Sequence, residues 1–388
     1  MNYLVISPFY PENFQPFTIE LAKKEGVKVL GIGQEPYDQL PEELRHALTE
    51  YFRVEDLENI DEVKRATAFL IYKHGPIDRI ESHNEHWLEN DASLRKQFDV
   101  FGAKPNHLKK TKFKSEMKKY FKQAGVPVVP GQVVRTDNDI NRAVKHIGFP
   151  MIAKPDNGVG ASGTFKLTSP EDLETFKQNW DRQVVYFFEK FVDSSIITTY
   201  DGLVDAKGNV VFETGLTYVH TPLELMLSRK DNAYYIEKEL DPKLVEYGRS
   251  IVKSFGMKER FFHIEFFKDG DDYIAIEYNN RMAGGFTVEA YNYAHSLDLF
   301  RDYANIVVGQ DVADRPFAPQ YCLVATRRDT TNYVHTADDI HSRYADQLKT
   351  VKRMPDAFAE LQGNDAYLLV TDSKVTLDEM IDFIGKTK

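Results

Sequence analysis

Short apolar runs alternate with amphipathic stretches along the first hundred residues. The pattern predicts, in chain order, a strand at Tyr3–Ser7, a helix at Pro16–Glu25, a strand at Val27–Gly31, a helix from Glu55 onward, a strand at Asp78–Ser82 and a helix at Asn84–Phe98. Strands that alternate with helices in this way are typical of a parallel sheet covered by helices. We therefore predict an N-terminal α/β domain over residues 1–107.

The next segment combines a basic helix with a compact lobe. A Lys-rich amphipathic helix is predicted over Leu108–Ala124, because Gly125 and Pro127 follow it as stop signals. The predicted elements after it are strands at Val128–Val134, Met151–Lys154, Thr164–Leu167 and Val184–Phe188, and helices at Asp137–His146 and Pro170–Trp180. Their close alternation indicates an α+β lobe at about residues 127–192.

The later pattern favours antiparallel strands. The predicted elements are strands at Ile196–Val204, Val210–Tyr218, Phe261–Phe267 and Tyr273–Tyr278, and a helix at Asp241–Phe255. Tight turns join the first two strands and the last two, as in hairpins. We place this central domain at residues 108–312. Because Pro316 and Pro319 mark a junction, we predict a small C-terminal α+β subdomain at residues 313–388.

Composition narrows the class of protein. Hydrophobic residues make up 42% and charged residues 28% of the chain, values typical of a globular protein. A formal net charge of −11 would repel a phosphate backbone, so no nucleic-acid partner is expected. The basic run at Lys109–Lys119 is therefore interpreted as a solvated helix face with one or two functional lysines. No apolar stretch reaches the roughly 20 residues of a membrane span, and no signal peptide is recognised.

The cysteine content indicates a reducing compartment. Cys322 is the single cysteine and lies in an apolar, strand-like run, where a small buried hydrophobe is a better interpretation than a nucleophile. We expect a cytoplasmic protein with no membrane partner. A homodimer is the default assembly for a soluble enzyme of this size.

A glycine-rich segment lies between two predicted strands. Gly158, Gly160 and Gly163 spell G-x-G-x-x-G, which taken alone would suggest the dinucleotide turn of an NAD-dependent oxidoreductase. That turn must open a helix, whereas this segment leads into a β-type run, so the interpretation is rejected. A strand–turn–strand loop remains, whose N–H groups and Ser162 hydroxyl can fold over a triphosphate while Lys154 supplies positive charge. A glycine-rich hairpin without a ligand stays open as the alternative.

The second informative segment is a predicted hairpin within Phe261–Phe286. Glu265 on one strand and Glu277 with Asn279 on the other can share a face, because side chains alternate with a period of two. Two carboxylates and an amide oxygen form an all-oxygen site suited to Mg²⁺ that bridges phosphates. Arg281 lies on the same side and can neutralise charge on a transferred phosphoryl group. His263 shares that face as a substrate-contact candidate, with a structural histidine as the alternative.

Six motifs occur in one order along the chain. They are Lys114, AGVP at Ala124–Pro127, IAKP at Ile152–Pro155 with its glycine loop, EKFV at Glu189–Val192, HIEF at His263–Phe266 and EYNNRMAGG at Glu277–Gly285. This series resembles the ATP-grasp superfamily. It is most similar to the carboxylate-amine ligase branch that contains bacterial L-amino-acid ligases, with biotin carboxylase and carbamoyl phosphate synthetase as more distant relatives. The likeness is good over residues 108–308 and loose elsewhere.

The resemblance implies a fold and a set of roles. The implied fold has an N-terminal parallel-sheet domain that precedes the ATP-grasp domain, a mobile lid lobe and a small C-terminal subdomain. For the nucleotide, the resemblance implies phosphate contacts by Lys114 and Lys154, closure of the Gly158–Gly163 loop, and a hinge that contacts the adenine at Glu189, Lys190, Phe191 and Val192. For the metal, it implies that Mg²⁺ (or Mn²⁺) is bound by Glu265, Glu277 and Asn279. Arg281 would stabilise developing charge, and the N–H groups of Gly284 and Gly285 would contact the substrate. Relatives place an acid after the hinge to hold the ribose, and here either Asp193 takes that role or the ribose is held weakly.

Two further segments are substrate-site candidates. Arg229 lies in a turn-rich stretch that faces the acceptor site in relatives, with an exposed surface arginine as the alternative. His83, Asn84 and Glu85 follow a predicted parallel strand, and the carboxyl end of such a strand faces a cleft.

The sequence thus predicts a Mg·ATP-dependent, ADP-forming ligase that activates a small-molecule carboxylate as an acyl phosphate for attack by an amine. An amino-acid or dipeptide ligase is one form of this activity. The alternatives are a non-catalytic ATP-binding sensor on the same scaffold and a biotin carboxylase-like carboxylation.

Overall fold

The N-terminal alternation forms a parallel sheet, as predicted. The computed structural model describes residues 1–158, 163–228, 230–312, 318–354, 359 and 362–388, with residues 226–228 described for their backbone alone. Its first elements are β1 (Asn2–Ile6), α1 (Gln15–Ala22), β2 (Lys28–Gly33), α2 (Glu42–Ala47), β3 (Glu50–Arg53), α3 (Ile60–His74), β4 (Arg79–Glu81) and α4 (Leu88–Gln97). The strands lie in the order β3-β2-β1-β4, all parallel. Strand β3 was not predicted, because its sequence, EYFR, is short and half-polar.

The basic segment forms two helices, so the prediction of one helix over Leu108–Ala124 is wrong. The observed elements are α5 (Pro105–Lys112) and α6 (Lys114–Gln123). They are separated at Phe113, whose backbone is extended. The N–H of Lys114 donates to the carbonyl of Asp156 at 2.8 Å, which ties the start of α6 to the neighbouring lobe.

The predicted lobe is an antiparallel sheet with two helices. Its elements are β5 (Gly131–Val134), α7 (Asp137–Ile147), β6 (Met151–Pro155), β7 (Phe165–Leu167), α8 (Pro170–Asn179) and β8 (Tyr186–Lys190). Among the described residues the strands lie in the order β5-β8-β6-β7. Strands β6 and β7 flank the glycine segment and pair antiparallel. The chain therefore passes from strand to strand there, which confirms the prediction against a dinucleotide turn.

The central domain contains the predicted antiparallel strands. Its elements are β9 (Ile197–Val204), β10 (Val210–Thr214), β11 (Leu216–Tyr218), α9 (Pro222–Ser228), β12 (Ala233–Ile236), α10 (Pro242–Phe255), β13 (Arg260–Asp269), β14 (Asp272–Asn279), α11 (Thr287–His295) and α12 (Leu299–Val307). The strand predicted over Val210–Tyr218 is interrupted near Gly215. The two pieces pair with different stretches of β9.

The C-terminal strands continue the central sheet. The last elements are β15 (Tyr321–Arg327), α13 (Ala337–Arg343), β16 (Leu348–Arg353), β17 (Asp365–Thr371) and α14 (Lys374–Gly385). In the described part of the chain the sheet runs β14-β13-β9-β11-β12-β15-β17-β16, with β10 beside β9. Strand β15 pairs antiparallel with β12. The predicted domain boundaries at 107 and 312 stay a prediction, but the strands on either side of residue 312 share one sheet.

A buried ion network joins the N-terminal sheet to the central sheet. The carboxylate of Glu81 on β4 accepts hydrogen bonds from Arg260 on β13 at 2.8 and 3.1 Å and from Arg95 on α4 at 3.0 Å. All three side chains are buried. Burial alone would raise the pKa of Glu81, but Arg260 and Arg95 hold that pKa at about 2. The network therefore fixes the position of one sheet against the other.

We expect Glu81→Gln to destabilise the protein by about 3 kcal/mol or more, because two buried guanidinium groups lose their shared carboxylate. The measurement is urea denaturation followed by tryptophan fluorescence and by circular dichroism. Glu116→Gln is the control, since Glu116 pairs with Lys119 on an exposed helix face and its loss should cost less than about 1 kcal/mol. Equal midpoints for the two variants would contradict the assignment of the network as a stabilising element.

Candidate functional site

The three sheets enclose one large cavity of about 980 Å³. Fourteen of the residues predicted for the site line it: Lys114, Lys154, Glu189, Lys190, Phe191, Val192, Asp193, His263, Glu265, Glu277, Asn279, Arg281, Gly284 and Gly285. They come from α6, the lobe, the β13–β14 hairpin and the segment after β14. Residues far apart in the sequence are therefore brought to one chamber.

The β13–β14 hairpin places the predicted metal ligands side by side. Glu265 lies directly opposite Glu277 in the antiparallel register, and His263 lies opposite Asn279. Opposed residues of an antiparallel pair project from the same face. The other face carries Ile264 into the hydrophobic core. The predicted shared face of the two carboxylates is thus observed.

The hairpin also contains an irregularity that strict alternation does not predict. The register shifts after Glu265, so that Phe266 pairs with Ala275 and Ile276 is the extra residue on β14. Ile276 lines the cavity beside Glu277. A bulge of this kind redirects a side chain, and here it adds an apolar wall next to the carboxylates.

The donor set fits a divalent cation that also binds phosphate. In the described ranges no group of three or more His, Cys, Asp or Glu side chains forms a closed metal site. The oxygens of Glu265, Glu277 and Asn279 instead form an open, all-oxygen set, which suits Mg²⁺ that completes its shell with water and phosphate oxygens. Burial would raise the pKa of Glu265, but His263 and Arg281 lower it, so this carboxylate is ionised.

The two predicted phosphate-binding lysines line the cavity together with this acidic pair. The ammonium of Lys114 lies 3.6 Å from Glu277 Oε1 and donates to the carbonyl of Gly158 at 2.6 Å. The positive charge of Lys154 is stabilised by Glu189 and also by Glu277 and Glu265, which together raise the pKa of Lys154 although its burial opposes this. Lys114 therefore lies close to a hairpin carboxylate, whereas Lys154 lines the same cavity and pairs with Glu189.

The side chain of Glu189 sits between two lysines. One carboxylate oxygen pairs with Lys154 on β6, and the other lies 2.7 Å from the ammonium of Lys118 on α6. Lys118 was not singled out from the sequence, where the basic run was interpreted as a solvated helix face with one or two functional lysines. Its spacing of four residues from Lys114 was the available signal, because residues i and i+4 share a helix face.

The hinge follows β8 along the cavity wall. The N–H of Phe191 donates to the carbonyl of Pro150 at 3.2 Å, so this amide is already used. Val192, next in the chain, remains the candidate for contact with a base edge. Asp193 lines the cavity and is exposed, a position consistent with the predicted ribose contact.

The glycine loop is described at its two ends. Gly158 accepts the hydrogen bond from Lys114, and Gly163 has φ +68°, a left-handed backbone that favours glycine. The predictions for Gly160 and Ser162 concern positions outside the described residues. The same is true of the prediction for Arg229.

Arg281 is held by a residue of the N-terminal domain. Its Nε donates to Glu85 Oε2 at 2.6 Å, and its Nη1 donates to the carbonyl of Met282 at 2.7 Å. Asn84 and Glu85 line the cavity as predicted for a strand end, whereas His83 is buried and stacks on Phe17 at 4.4 Å. A carboxylate and a guanidinium thus form an ion pair on the cavity wall.

The glycine pair after Arg281 forms part of the same wall. Gly285 has φ +67°, and a Cβ atom there would lie 3.1 Å from Gln362 Oε1. Its carbonyl accepts a hydrogen bond from Asn13 at 2.7 Å. Segments that sequence reasoning did not connect therefore close this end: the N-terminal loop around Asn13, the start of α9 around Leu223 and the C-terminal residues Met354 and Gln362. No local motif signals these long-range contacts.

His263 is buried between two carboxylates. Its Nδ1 lies 2.7 Å from Asp201 Oδ1 and its Nε2 lies 3.3 Å from Glu265 Oε1. Tyr291 and Thr199 donate to the other oxygen of Asp201 at 2.6 and 2.5 Å. Burial disfavours the charged ring, but Asp201 and Glu265 raise the pKa of His263 to about 10. The imidazolium therefore orients Glu265; a substrate contact of His263 stays a prediction.

We expect His263→Gln to lower the apparent Mg²⁺ affinity by about 10- to 100-fold, the range seen when an outer-shell partner of a metal ligand is lost. The measurement is ATP turnover titrated with Mg²⁺. At saturating Mg²⁺ the KM for ATP should stay within about twofold of the wild-type value, because the predicted nucleotide contacts lie on other residues. If the Mg²⁺ dependence of ATP turnover were unchanged, His263 would serve only in packing.

The structure also places the single cysteine and shows the length and character of the helices. Cys322 is fully buried, and burial raises the pKa of its thiol, which agrees with the prediction of an inert hydrophobe. Within the described ranges, no helix combines the length and apolar character required to cross a bilayer.

The chain matches one protein family and is similar to a known ligase over most of its length. Residues 112–313, more than half of the 388 residues, match the family described as carbamoyl-phosphate synthase L chain, ATP binding domain. The L-arginine-specific L-amino acid ligase of Bacillus subtilis is 24% identical over 325 residues, which cover 80% of this chain and 76% of that protein.

Solved structures share the fold over nearly the full length. An L-amino acid ligase from Bacillus licheniformis superposes with a TM-score of 0.74 at 15% identity, covering 98% of this chain and 95% of that one. The biotin carboxylase domain of 2-oxoglutarate carboxylase from Hydrogenobacter thermophilus, solved with MgADP, ADP and bicarbonate, gives a TM-score of 0.71 at 16% identity, covering 100% and 90%. At these identities the likeness establishes the fold.

Proposed function

Because the chain belongs to the carbamoyl-phosphate synthase L chain ATP-binding family, a branch of the ATP-grasp superfamily, we propose that it is an ADP-forming carboxylate-amine ligase. The observation that carries the proposal is the meeting of Lys114, Lys154, Glu265, Glu277 and Arg281 in one cavity. Cations for a triphosphate, oxygens for Mg²⁺ and a guanidinium for the developing charge are the parts that phosphoryl transfer requires.

The nucleotide half of the cavity lies between the lobe and the hairpin. The adenine would contact the hinge at Lys190 and Val192, and its faces would pack against apolar side chains such as Ile152 and Ile276. The triphosphate would extend along Lys154 and Lys114 toward Glu277. The glycine loop from Gly158 would cover it, as the position of Lys114 against the Gly158 carbonyl supports.

Glu265, Glu277 and Asn279 would hold Mg²⁺ at the end of the triphosphate. When bound, the ion neutralises phosphate charge and orients the γ-phosphoryl group. The protein contributes the alignment of these oxygens on one hairpin face, with His263 fixing Glu265. Closure of the lobe over this cavity would shield an activated carboxylate from hydrolysis by water.

The substrate half of the cavity favours an amino acid as the activated carboxylate. Arg281 can bind a carboxylate, and Glu85, 2.6 Å from the Arg281 Nε, can bind an ammonium group. The carboxylate of an amino-acid zwitterion would therefore bind Arg281, and its ammonium group would bind Glu85. The carboxylate oxygen attacks the γ-phosphorus of ATP, the bond to ADP breaks, and an acyl phosphate forms. The amine of a second substrate then attacks the carbonyl carbon, inorganic phosphate leaves, and the amine loses a proton.

The test measures ADP release from Mg·ATP with single amino acids and with pairs, followed by mass spectrometry of the products. We expect ADP only when an amino acid is present, and a dipeptide mass with suitable pairs. Matched acids without the amino group, such as propionate beside alanine, should give much less ADP because Glu85 then lacks its partner. Transfer of one ¹⁸O atom from a labelled carboxylate to phosphate would report the acyl phosphate. Tight ATP binding with no ADP release for any carboxylate would instead favour the non-catalytic sensor.

A further inference from the structure

A second lysine lies behind Lys114 on the wall of the nucleotide cavity. Lys118 follows it by one turn of α6 and is 6% exposed. Its ammonium donates to the carbonyl of Ala275 on β14 at 3.1 Å and lies 2.7 Å from Glu189 Oε1. A buried ammonium is costly unless it is paired, so this lysine requires an explanation that the family motifs do not supply.

The partner of Lys118 is shared with a phosphate-binding residue. Glu189 is 4% exposed, and its second oxygen pairs with Lys154. The buried group is thus one carboxylate between two ammonium groups. Lys118 and Lys154 hold the pKa of Glu189 at about 2 although burial would raise it, so the carboxylate stays ionised throughout the working pH range.

Lys154 must serve two anions in turn. In the nucleotide-free arrangement it pairs with Glu189, whereas in the proposed function it contacts the phosphates. A carboxylate that loses its only buried partner is strongly destabilised. With Lys118 in place, Glu189 keeps one cation when Lys154 turns toward the triphosphate, and the transfer costs much less.

We infer that Lys118 is a positioning residue that neutralises Glu189 and thereby allows Lys154 to leave that carboxylate for the phosphates of the nucleotide. The inference rests on the proposed ATP site. Lys118 itself need not touch the phosphates, because its hydrogen bond to Ala275 anchors it on the hairpin. The alternative explanation is that Lys118 only packs against its neighbours. The two explanations predict different effects of a substitution at Glu189 on the affinity for ATP.

The experiment is calorimetric titration of the full-length protein with Mg·ATP and, separately, with adenosine. We expect Lys118→Met to weaken ATP binding at least about tenfold, because Lys154 is then the only cation left for a buried carboxylate. Adenosine has no phosphates, so its affinity should change by less than about twofold. Lys119→Met, an exposed neighbour on α6, is the matched control and should bind both ligands like the wild type.

The double variant separates the two explanations. In Lys118→Met/Glu189→Gln there is no buried carboxylate to retain Lys154, so ATP affinity should recover by about tenfold from that of Lys118→Met. Glu189→Gln alone should bind ATP more tightly than the wild type, and this variant keeps the inference testable if Lys118→Met does not fold. Equal loss of ATP and adenosine binding without recovery, unchanged ATP binding in Lys118→Met, or weaker ATP binding in Glu189→Gln would each overturn the inference. A wild-type protein that binds adenosine but not ATP would overturn the proposed function as well.

Discussion

Glu277→Ala is expected to reduce Mg²⁺-dependent ATP turnover by at least about a thousandfold, since metal stabilisation of a phosphoryl transition state is worth several kcal/mol. Glu277 lies opposite Glu265 and 3.6 Å from the ammonium of Lys114. Its removal deletes one of two carboxylates from the cation site and leaves that lysine without its nearest counter-charge. The fold should persist, because Glu277 is on the cavity face of β14.

The measurement is ADP release over a range of Mg²⁺ concentrations, with thermal unfolding to verify the fold. Asp271→Ala is the matched control, because Asp271 is an exposed carboxylate at the turn of the same hairpin. We expect this control to retain turnover within about twofold, as is usual for surface substitutions away from a site. Retained activity in Glu277→Ala would reject the metal assignment.

Arg281→Ala is expected to lower kcat by about 10²- to 10³-fold, the effect of losing one preorganised group that stabilises developing charge. The KM for ATP should change little, because Arg281 lies at the substrate end of the cavity and contacts Glu85 rather than the hinge. Pre-steady-state measurement of ADP formation would locate the defect in the acyl-phosphate step.

The matched variant is Arg281→Lys, which keeps the charge but loses the planar fork of donors. It should recover only part of kcat, because an ammonium lacks the rigid, planar pair of donors with which a guanidinium fixes the geometry of a carboxylate. A kcat within about twofold of the wild type in Arg281→Ala would show that the guanidinium only links the two domains.

The predictions that succeeded depend on local periodicity. The period of two in β14 placed Glu277 and Asn279 on one face, and the β-type run after Gly163 excluded a dinucleotide turn. Both are properties of a few consecutive residues. The meeting of Glu265 with Glu277 also needed the bulge at Ile276, because an unbroken register would place Ile276 opposite Glu265.

The predictions that failed or were missing depend on contacts across the fold. The helix predicted over residues 108–124 is broken at Phe113 because Lys114 bonds to Asp156 in another lobe. Lys118 was not distinguished from the solvated lysines of the basic run, because its partners, the carbonyl of Ala275 and the carboxylate of Glu189, are far away in the sequence. The pairing of Arg281 with Glu85 spans 196 positions and has no local signature. Charged residues whose partners lie far away in the sequence could therefore not be assigned from one sequence.

The pairing of β12 with β15 has a consequence for the folding of the protein during its synthesis. During synthesis, β12 emerges from the ribosome well before Tyr321–Arg327, so its edge has no intramolecular partner while the intervening chain is made. Unpaired strand edges are templates for association with other chains. We therefore expect pauses in translation between residues 236 and 321 to prolong the exposure of this edge and to lower the soluble yield.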